Sequence, residues 1–145
     1  MISYRITKYN PKKRNDKGHY LDGSEWTAMC DIEKPKYKVT YEEYEKVELA
    51  YVESIQLILR EKKIETLNVR SLALMNVEEY FPEYLQKGQL KNINVDYDEN
   101  LKSLKENQEL NLFEIQTFTR LILRDIVWML MVNSKCEVKF GYDYY

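Results

Sequence analysis

Hydrophobic positions recur with two different periods along this chain. Apolar side chains at every second position predict half-buried strands at residues 2–7 and from Trp26 to Ile32. The same alternation predicts a strand from about Ile64 to Leu72 and a terminal strand from Cys136 to Tyr142. Residues 9–25, between the first two strands, carry Asn-Pro, Lys-Gly and Asp-Gly turn signals and are predicted to form a loop.

Two longer segments have the three- and four-residue spacing of amphipathic helices. The first begins at a T-x-x-E capping box formed by Thr40 and Glu43, and its apolar stripe continues to near Lys63. The second begins at a capping signal at Asn111, and we expect it to run from Leu112 to about Val132. Because this second helix is apolar on several sides, it is predicted to be central.

The region between the two long helices is less regular. A short helix is predicted to begin at Val77, or at Phe81 so that Pro82 falls in its first turn, and to end at Gln86. Residues 90–100 fit both an alternating strand and a turn-rich loop. Together the elements predict an α+β fold, with a small, mainly antiparallel sheet of about four strands packed with two long amphipathic helices and one or two short helices.

Length and composition fit one domain that spans residues 1–145. The chain begins without the charged and apolar regions of a signal peptide, and no apolar run reaches the 18 residues of a membrane span. Cys30 and Cys136 are far apart and suit two free thiols in a reducing compartment. These features predict a cytoplasmic protein with no membrane partner.

Catalytic groups and cofactor motifs are missing from the sequence. The single histidine, His19, lies in a predicted loop without the other ligands of a zinc site or a nearby nucleophile. No glycine-rich phosphate-binding motif is present. Paired carboxylates such as Glu42 and Glu43 are sequence neighbours and therefore point to different sides of a helix. We expect a protein that is not an enzyme and that uses no cofactor and no metal.

Charge is spread unevenly along the chain. Residues 1–20 contain six basic residues and one acid, whereas residues 76–114 contain four basic residues and nine acids. Aromatic residues alternate with the acids, and such a surface suits a basic protein partner, because carboxylates steer the encounter and tyrosine rings fill pockets. The candidate partner-binding residues are Glu78, Glu79, Tyr80, Glu83, Tyr84, Asp96, Tyr97, Asp98 and Glu99.

Three other hypotheses remain open. The C-terminal strand from Cys136 to Tyr145 offers an edge through which a structural or regulatory protein would form homo-oligomers. A hydrolase that uses His19 would need a cleft around that side chain. Lys12, Lys13 and Arg14 would contact phosphate in a nucleic acid, but the net charge of −2 argues against this partner.

Four segments resemble small bacterial immunity proteins of polymorphic toxin systems. They are Tyr4-Arg5-Ile6-Thr7-Lys8-Tyr9-Asn10-Pro11, Trp26-Thr27 followed by Asp31-Ile32, Leu123-Arg124-Asp125 with Trp128, and Phe140-Gly141-Tyr142-Asp143-Tyr144-Tyr145. The resemblance implies a protein that binds a cognate toxin. Together with the absent catalytic groups and the acidic, tyrosine-rich segments, it leads us to expect that the chain neutralises a toxin by occluding its active site.

Overall fold

The computed structural model describes residues 6–8, 12–17, 21, 28–32, 34–74 and 90–140. These residues form an α+β architecture, which confirms the predicted fold class. The elements are a 3-10 helix (Met29–Asp31), helix α1 (Tyr41–Glu61), strand β1 (Thr66–Ala73), a π-helical turn (Tyr97–Leu101), strand β2 (Glu109–Asn111), helix α2 (Leu112–Leu123), strand β3 (Trp128–Val132) and strand β4 (Glu137–Val138).

Local capping begins both long helices where the sequence predicts. The Thr40 hydroxyl accepts the Glu43 N–H at 3.2 Å, and the Glu43 carboxylate accepts the Thr40 N–H at 2.9 Å. At the start of α2, Asn111 and Glu114 form the same reciprocal pair. Each cap satisfies donors that the first helical turn leaves unpaired, so the position of the helix start is encoded locally.

The sheet is antiparallel throughout, with strand order β2-β1-β3-β4. Val69 in β1 faces Met131 in β3, and Leu67 in β1 faces Leu110 in β2. All four side chains are buried. The main core lies between the helices and the sheet, and the predicted strand at residues 64–72 is confirmed as β1.

A β-bulge interrupts the pairing of β1 with β3 between Arg70 and Ala73. Ser71 has a positive φ of 52°, and the Glu106 carboxylate accepts the N–H groups of Ser71 and Leu72 at 2.9 and 3.0 Å. These two hydrogen bonds hold the pKa of the Glu106 carboxyl below its ordinary value. An acid that is exposed in the folded protein therefore serves to complete the sheet.

The second helix is much shorter than predicted. We expected it to reach Val132, but α2 ends at Leu123 and the apolar run after it forms β3. A continuous apolar run suits a buried strand as well as a buried helix, so periodicity alone does not separate the two. β3 is an inner strand of the sheet, with Met129 and Met131 buried.

The ends of both helices are Schellman motifs without glycine. In α2, Asp125 has φ 59°, the Ile126 N–H donates to the Leu121 carbonyl at 3.0 Å, and the Asp125 N–H donates to the Ile122 carbonyl at 3.0 Å. In α1, Lys63 has φ 52°, and the N–H groups of Lys63 and Ile64 donate to the carbonyls of Arg60 and Leu59 at 3.0 and 2.9 Å. The left-handed residue turns the chain out of each helix.

Other predicted elements are wrong or lie outside the described residues. The predicted strand from Trp26 to Ile32 is a 3-10 helix at Met29–Asp31, because the Asp31 carboxylate accepts the Ala28 N–H at 3.2 Å and favours a turn. Ile6 and Thr7 are described and belong to no strand. In the described part of the predicted terminal strand, residues 136–140, only Glu137–Val138 form a strand. Strand β2 was not predicted. Residues 1–5, 75–89 and 141–145, with the predicted short helix, lie outside the described residues.

Candidate protein-binding site

The predicted binding residues fall into two groups. Asp96 and Glu99 are exposed on the described surface, and the backbone of Tyr97 and Asp98 lies between them in the π-helical turn. The side chains of Tyr97 and Asp98 are not described, and the remaining candidates, Glu78, Glu79, Tyr80, Glu83 and Tyr84, lie outside the described residues. The structure therefore brings two of the nine predicted residues together.

The turn that carries these two acids is fixed by its own polar groups. The Asp96 carboxylate accepts the Glu99 N–H at 3.0 Å, and the Asn100 side-chain oxygen accepts the Asp96 N–H at 2.8 Å. The Ser103 hydroxyl donates to the Glu99 carbonyl at 2.6 Å. The Glu99 carboxylate forms no ion pair or hydrogen bond with any other residue that the structure describes, so its charge faces solvent.

We call residues 90–104 the acidic loop. Its apolar residues pack into the main core. Leu90 lies at its start, and Leu101 and Leu104 follow the acidic turn. All three are buried, with Leu101 completely covered. Burial of leucine side chains on both sides of the turn restricts the loop more than its irregular backbone suggests.

A group of four buried or half-buried charges lies beneath the first part of the acidic loop. We call Glu45, Glu48, Arg120 and Arg124 the charge network. Arg124 binds both Glu48 oxygens, at 2.6 and 2.7 Å, and the two side chains are fully buried. Arg120 binds Glu48 at 3.0 Å and Glu45 at 2.9 Å, and thereby connects α2 to α1 twice.

The electrostatics of Arg124 follow from its surroundings. Burial by itself would lower the pKa of the guanidinium, but the Glu48 carboxylate, which is hydrogen-bonded to it, outweighs burial and raises that pKa above its ordinary value. Arg124 is therefore a permanent cation in the interior. Two arginines face two glutamates, so the network is balanced in charge and each charge has a partner.

The charge network holds the backbone of the acidic loop. Arg124 donates to the Lys91 carbonyl at 2.9 Å, and Arg120 donates to the Asn92 carbonyl at 2.7 Å. The Asn92 amide donates to both Glu45 oxygens at 3.0 Å. Asn92 has φ 59°, so the network fixes a residue in the left-handed region.

Tyr41 of α1 also binds the backbone of the acidic loop at Lys91. Its hydroxyl donates to the Lys91 carbonyl at 2.7 Å and accepts from Arg124 at 3.2 Å. The Lys91 ammonium lies 4.3 Å from the centre of the Tyr41 ring, a distance typical of a cation–π contact. Burial is the main reason that the pKa of the Tyr41 hydroxyl is raised, so it is a neutral donor at physiological pH.

Sequence reasoning missed the charge network, although one signal was present. Glu48 occupies a position on the apolar stripe of α1, between Tyr44 and Tyr51, where a charge is expected only if it has a buried partner. Arg124 likewise stands within the apolar segment that joins α2 to β3. A charged residue at a core position predicts a partner, but the pattern does not identify it.

The tyrosines that the structure describes in full are not surface anchors. Tyr44 and Tyr51 are buried, and Tyr37 and Tyr41 are half-buried. The Tyr44 hydroxyl donates to the Leu123 carbonyl at 2.9 Å, at the end of α2. In the described part of the chain, tyrosine therefore supplies packing and internal hydrogen bonds.

Among the described residues, no three Cys, His, Asp or Glu side chains converge as metal ligands. None of the described helices combines the length and the hydropathy needed to cross a membrane. Cys30 and Cys136 are free thiols, as predicted. Comparison with protein-family models, curated proteins and solved structures gives no match to this chain.

Proposed function

We propose that this chain is a non-catalytic, cytoplasmic immunity-type protein that binds and neutralises a cognate bacterial toxin. The acidic, tyrosine-rich surface would make the contact, with Asp96 and Glu99 as its described part. One observation carries the proposal: two exposed acids stand on an irregular loop whose backbone is held by two arginines of the charge network.

The acidic loop is preorganised for binding. A flexible loop loses conformational entropy when it binds, and this loss weakens the complex. The acidic loop has already lost that freedom, because Lys91 and Asn92 are bound by the network and Leu101 is buried. Buried ion pairs contribute little net stability, and in some proteins they specify one conformation, which would fit a role in presenting a surface.

The chemistry of the loop indicates a basic partner. Exposed carboxylates accelerate association with a positively charged surface and pair with Arg or Lys in the complex. A toxin that binds phosphate groups, such as a nuclease, has a positively charged cleft. An inhibitor that occupies such a cleft needs no catalytic group of its own.

The experiment is a binding measurement with the product of the neighbouring gene. We expect the purified pair to form a complex, and the double charge reversal Asp96→Lys/Glu99→Lys to slow association by about tenfold or more at low salt. A matched control reverses Glu53 and Glu61, two exposed acids on α1. The proposal fails if the neighbouring product does not bind, or if both double variants associate equally fast.

A second candidate function is homo-oligomerisation through the C-terminal strand. Strand β4 lies at the edge of the sheet, and the only strand it pairs with in the described part of the chain is β3. An edge strand offers backbone groups to another chain. Size-exclusion chromatography with light scattering separates the two functions, because a monomer over the whole concentration range contradicts oligomerisation.

A further inference from the structure

A cleft lies beside α1, away from the acidic loop. It is bounded by residues 6–8, by the segment from Tyr37 to Val39, and by α1 residues from Glu43 to Ser54. It is a groove open to solvent, and its volume of about 560 Å³ can hold a small molecule. At 100° per residue, its α1 residues lie on the side of the helix away from Glu45 and Glu48, so the cleft is separate from the charge network.

The interior of the cleft is mainly apolar. Val39 is buried, Val47 is half-buried, and Ala50 leaves space on the helix surface because its side chain is small. The segment at residues 6–8 is hydrogen-bonded to α1, because the backbone N–H of Lys8 donates to the Tyr51 hydroxyl at 2.8 Å. Burial raises the pKa of Tyr51, so the phenol stays neutral at physiological pH.

Most of the described charged residues that line the cleft are cationic. Among the described residues that line it, Lys8, Lys38 and Lys46 stand against one acid, Glu43. The Glu43 carboxylate is engaged by the Thr40 N–H in the helix cap. Lys38 and Lys46 are exposed and form no ion pair with another described residue. A locally positive cleft in a chain of net charge −2 is complementary to an anion.

We infer that this cleft binds a small organic anion with an apolar body, of the class of aliphatic carboxylates. The hydrocarbon part would lie on Val39, Val47 and Ala50, and Lys38 and Lys46, which line the same cleft, would pair with the carboxylate. Apolar burial supplies affinity, and the charged rim orients the ligand and selects its sign.

The first experiment compares three ligands with the same hydrocarbon chain on the full-length protein: octanoate, octanol and octylammonium. We expect octanoate to bind with a dissociation constant of about 1 mM or lower, since a ligand of this size gains modest free energy per atom. Backbone amide shifts in NMR spectra would concentrate at residues 37–54. Equal binding of octanol, tighter binding of octylammonium, or no octanoate binding at 10 mM (roughly tenfold above that constant) overturns the inference.

The second experiment tests the residues. The double variant Lys38→Gln/Lys46→Gln should weaken octanoate binding by about tenfold, because each exposed ion pair contributes modestly. Its control, Lys135→Gln/Lys139→Gln, removes the same charge from exposed positions near β4 and should leave binding unchanged. Ala50→Trp fills the cleft and should abolish binding, with circular dichroism to verify folding. Equal affinity of the two double variants, or full binding by a folded Ala50→Trp protein, contradicts the proposed site.

Discussion

At the scale of single residues, the most consequential feature is the pair Glu48 and Arg124. Both side chains are almost completely buried, yet both are charged. Two short hydrogen bonds join the Arg124 guanidinium to the Glu48 carboxylate, so each charge has a partner. The desolvation cost of such a pair is close to its Coulomb gain, so its presence adds little stability, whereas removal of one member leaves an uncompensated charge.

Glu48→Gln is therefore expected to lower the free energy of unfolding by about 3–5 kcal/mol, as measured by urea denaturation. Glu45→Gln should lower it less, because Glu45 is partly exposed to water. The double variant Glu48→Leu/Arg124→Leu removes both buried charges and should be more stable than Glu48→Gln alone. A double variant that is less stable than Glu48→Gln would show that the contacts of Arg124, to Glu48 and to the Lys91 carbonyl, are together a net source of stability.

At the scale of elements, the ends of the two helices show that a Schellman motif can form without glycine. Glycine usually occupies the left-handed position of a Schellman motif, but Lys63 and Asp125 occupy it here. The residue after each one is Ile64 or Ile126, and both are buried. Burial of that isoleucine stabilises the turn and offsets the steric cost of a side chain at positive φ.

Asp125→Gly is expected to raise the free energy of unfolding by up to about 1 kcal/mol, because glycine has no steric cost in the left-handed region. Lys63→Gly should act in the same direction. The matched control is Gln116→Gly, an exposed position inside α2, which should lower stability by about 1 kcal/mol. Thermal denaturation measures all three, and a loss at Asp125→Gly as large as that at Gln116→Gly would contradict the explanation.

At the scale of the whole molecule, the acidic loop joins parts of the chain that are distant in sequence. Arg120 on α2 and Arg124 just after it bind its backbone, and Glu45 and Tyr41 on α1 bind the same segment. Its leucines enter the core that the sheet completes. The order of the loop therefore depends on how the two helices pack against each other.

Arg120→Gln is expected to loosen the acidic loop without unfolding the sheet. Hydrogen exchange should become faster at the amides of Ile93, Glu99 and Asn100, whereas the amide of Val69 in β1 should stay protected. Arg60→Gln, an exposed position near the end of α1, is the control and should change neither region. Unchanged exchange in the loop of the Arg120 variant would mean that Arg124, Tyr41 and the leucines hold the loop without Arg120.

The sequence by itself determined features that depend on neighbouring residues. Capping by Thr40 and Asn111 sets where each helix begins, and alternation of apolar residues identifies β1. These inferences succeed because the interactions concerned span only a few residues.

Only the tertiary structure decided the features that depend on distant partners. The apolar segment at 128–132 became a strand because β1 and β4 pair with it, although its pattern also fits a helix. Glu48 meets Arg124 across 76 positions of sequence, and Arg124 reaches Lys91 across 33. The energy of a strand pairing or of a buried ion pair belongs to two segments at once, and neither segment encodes its partner.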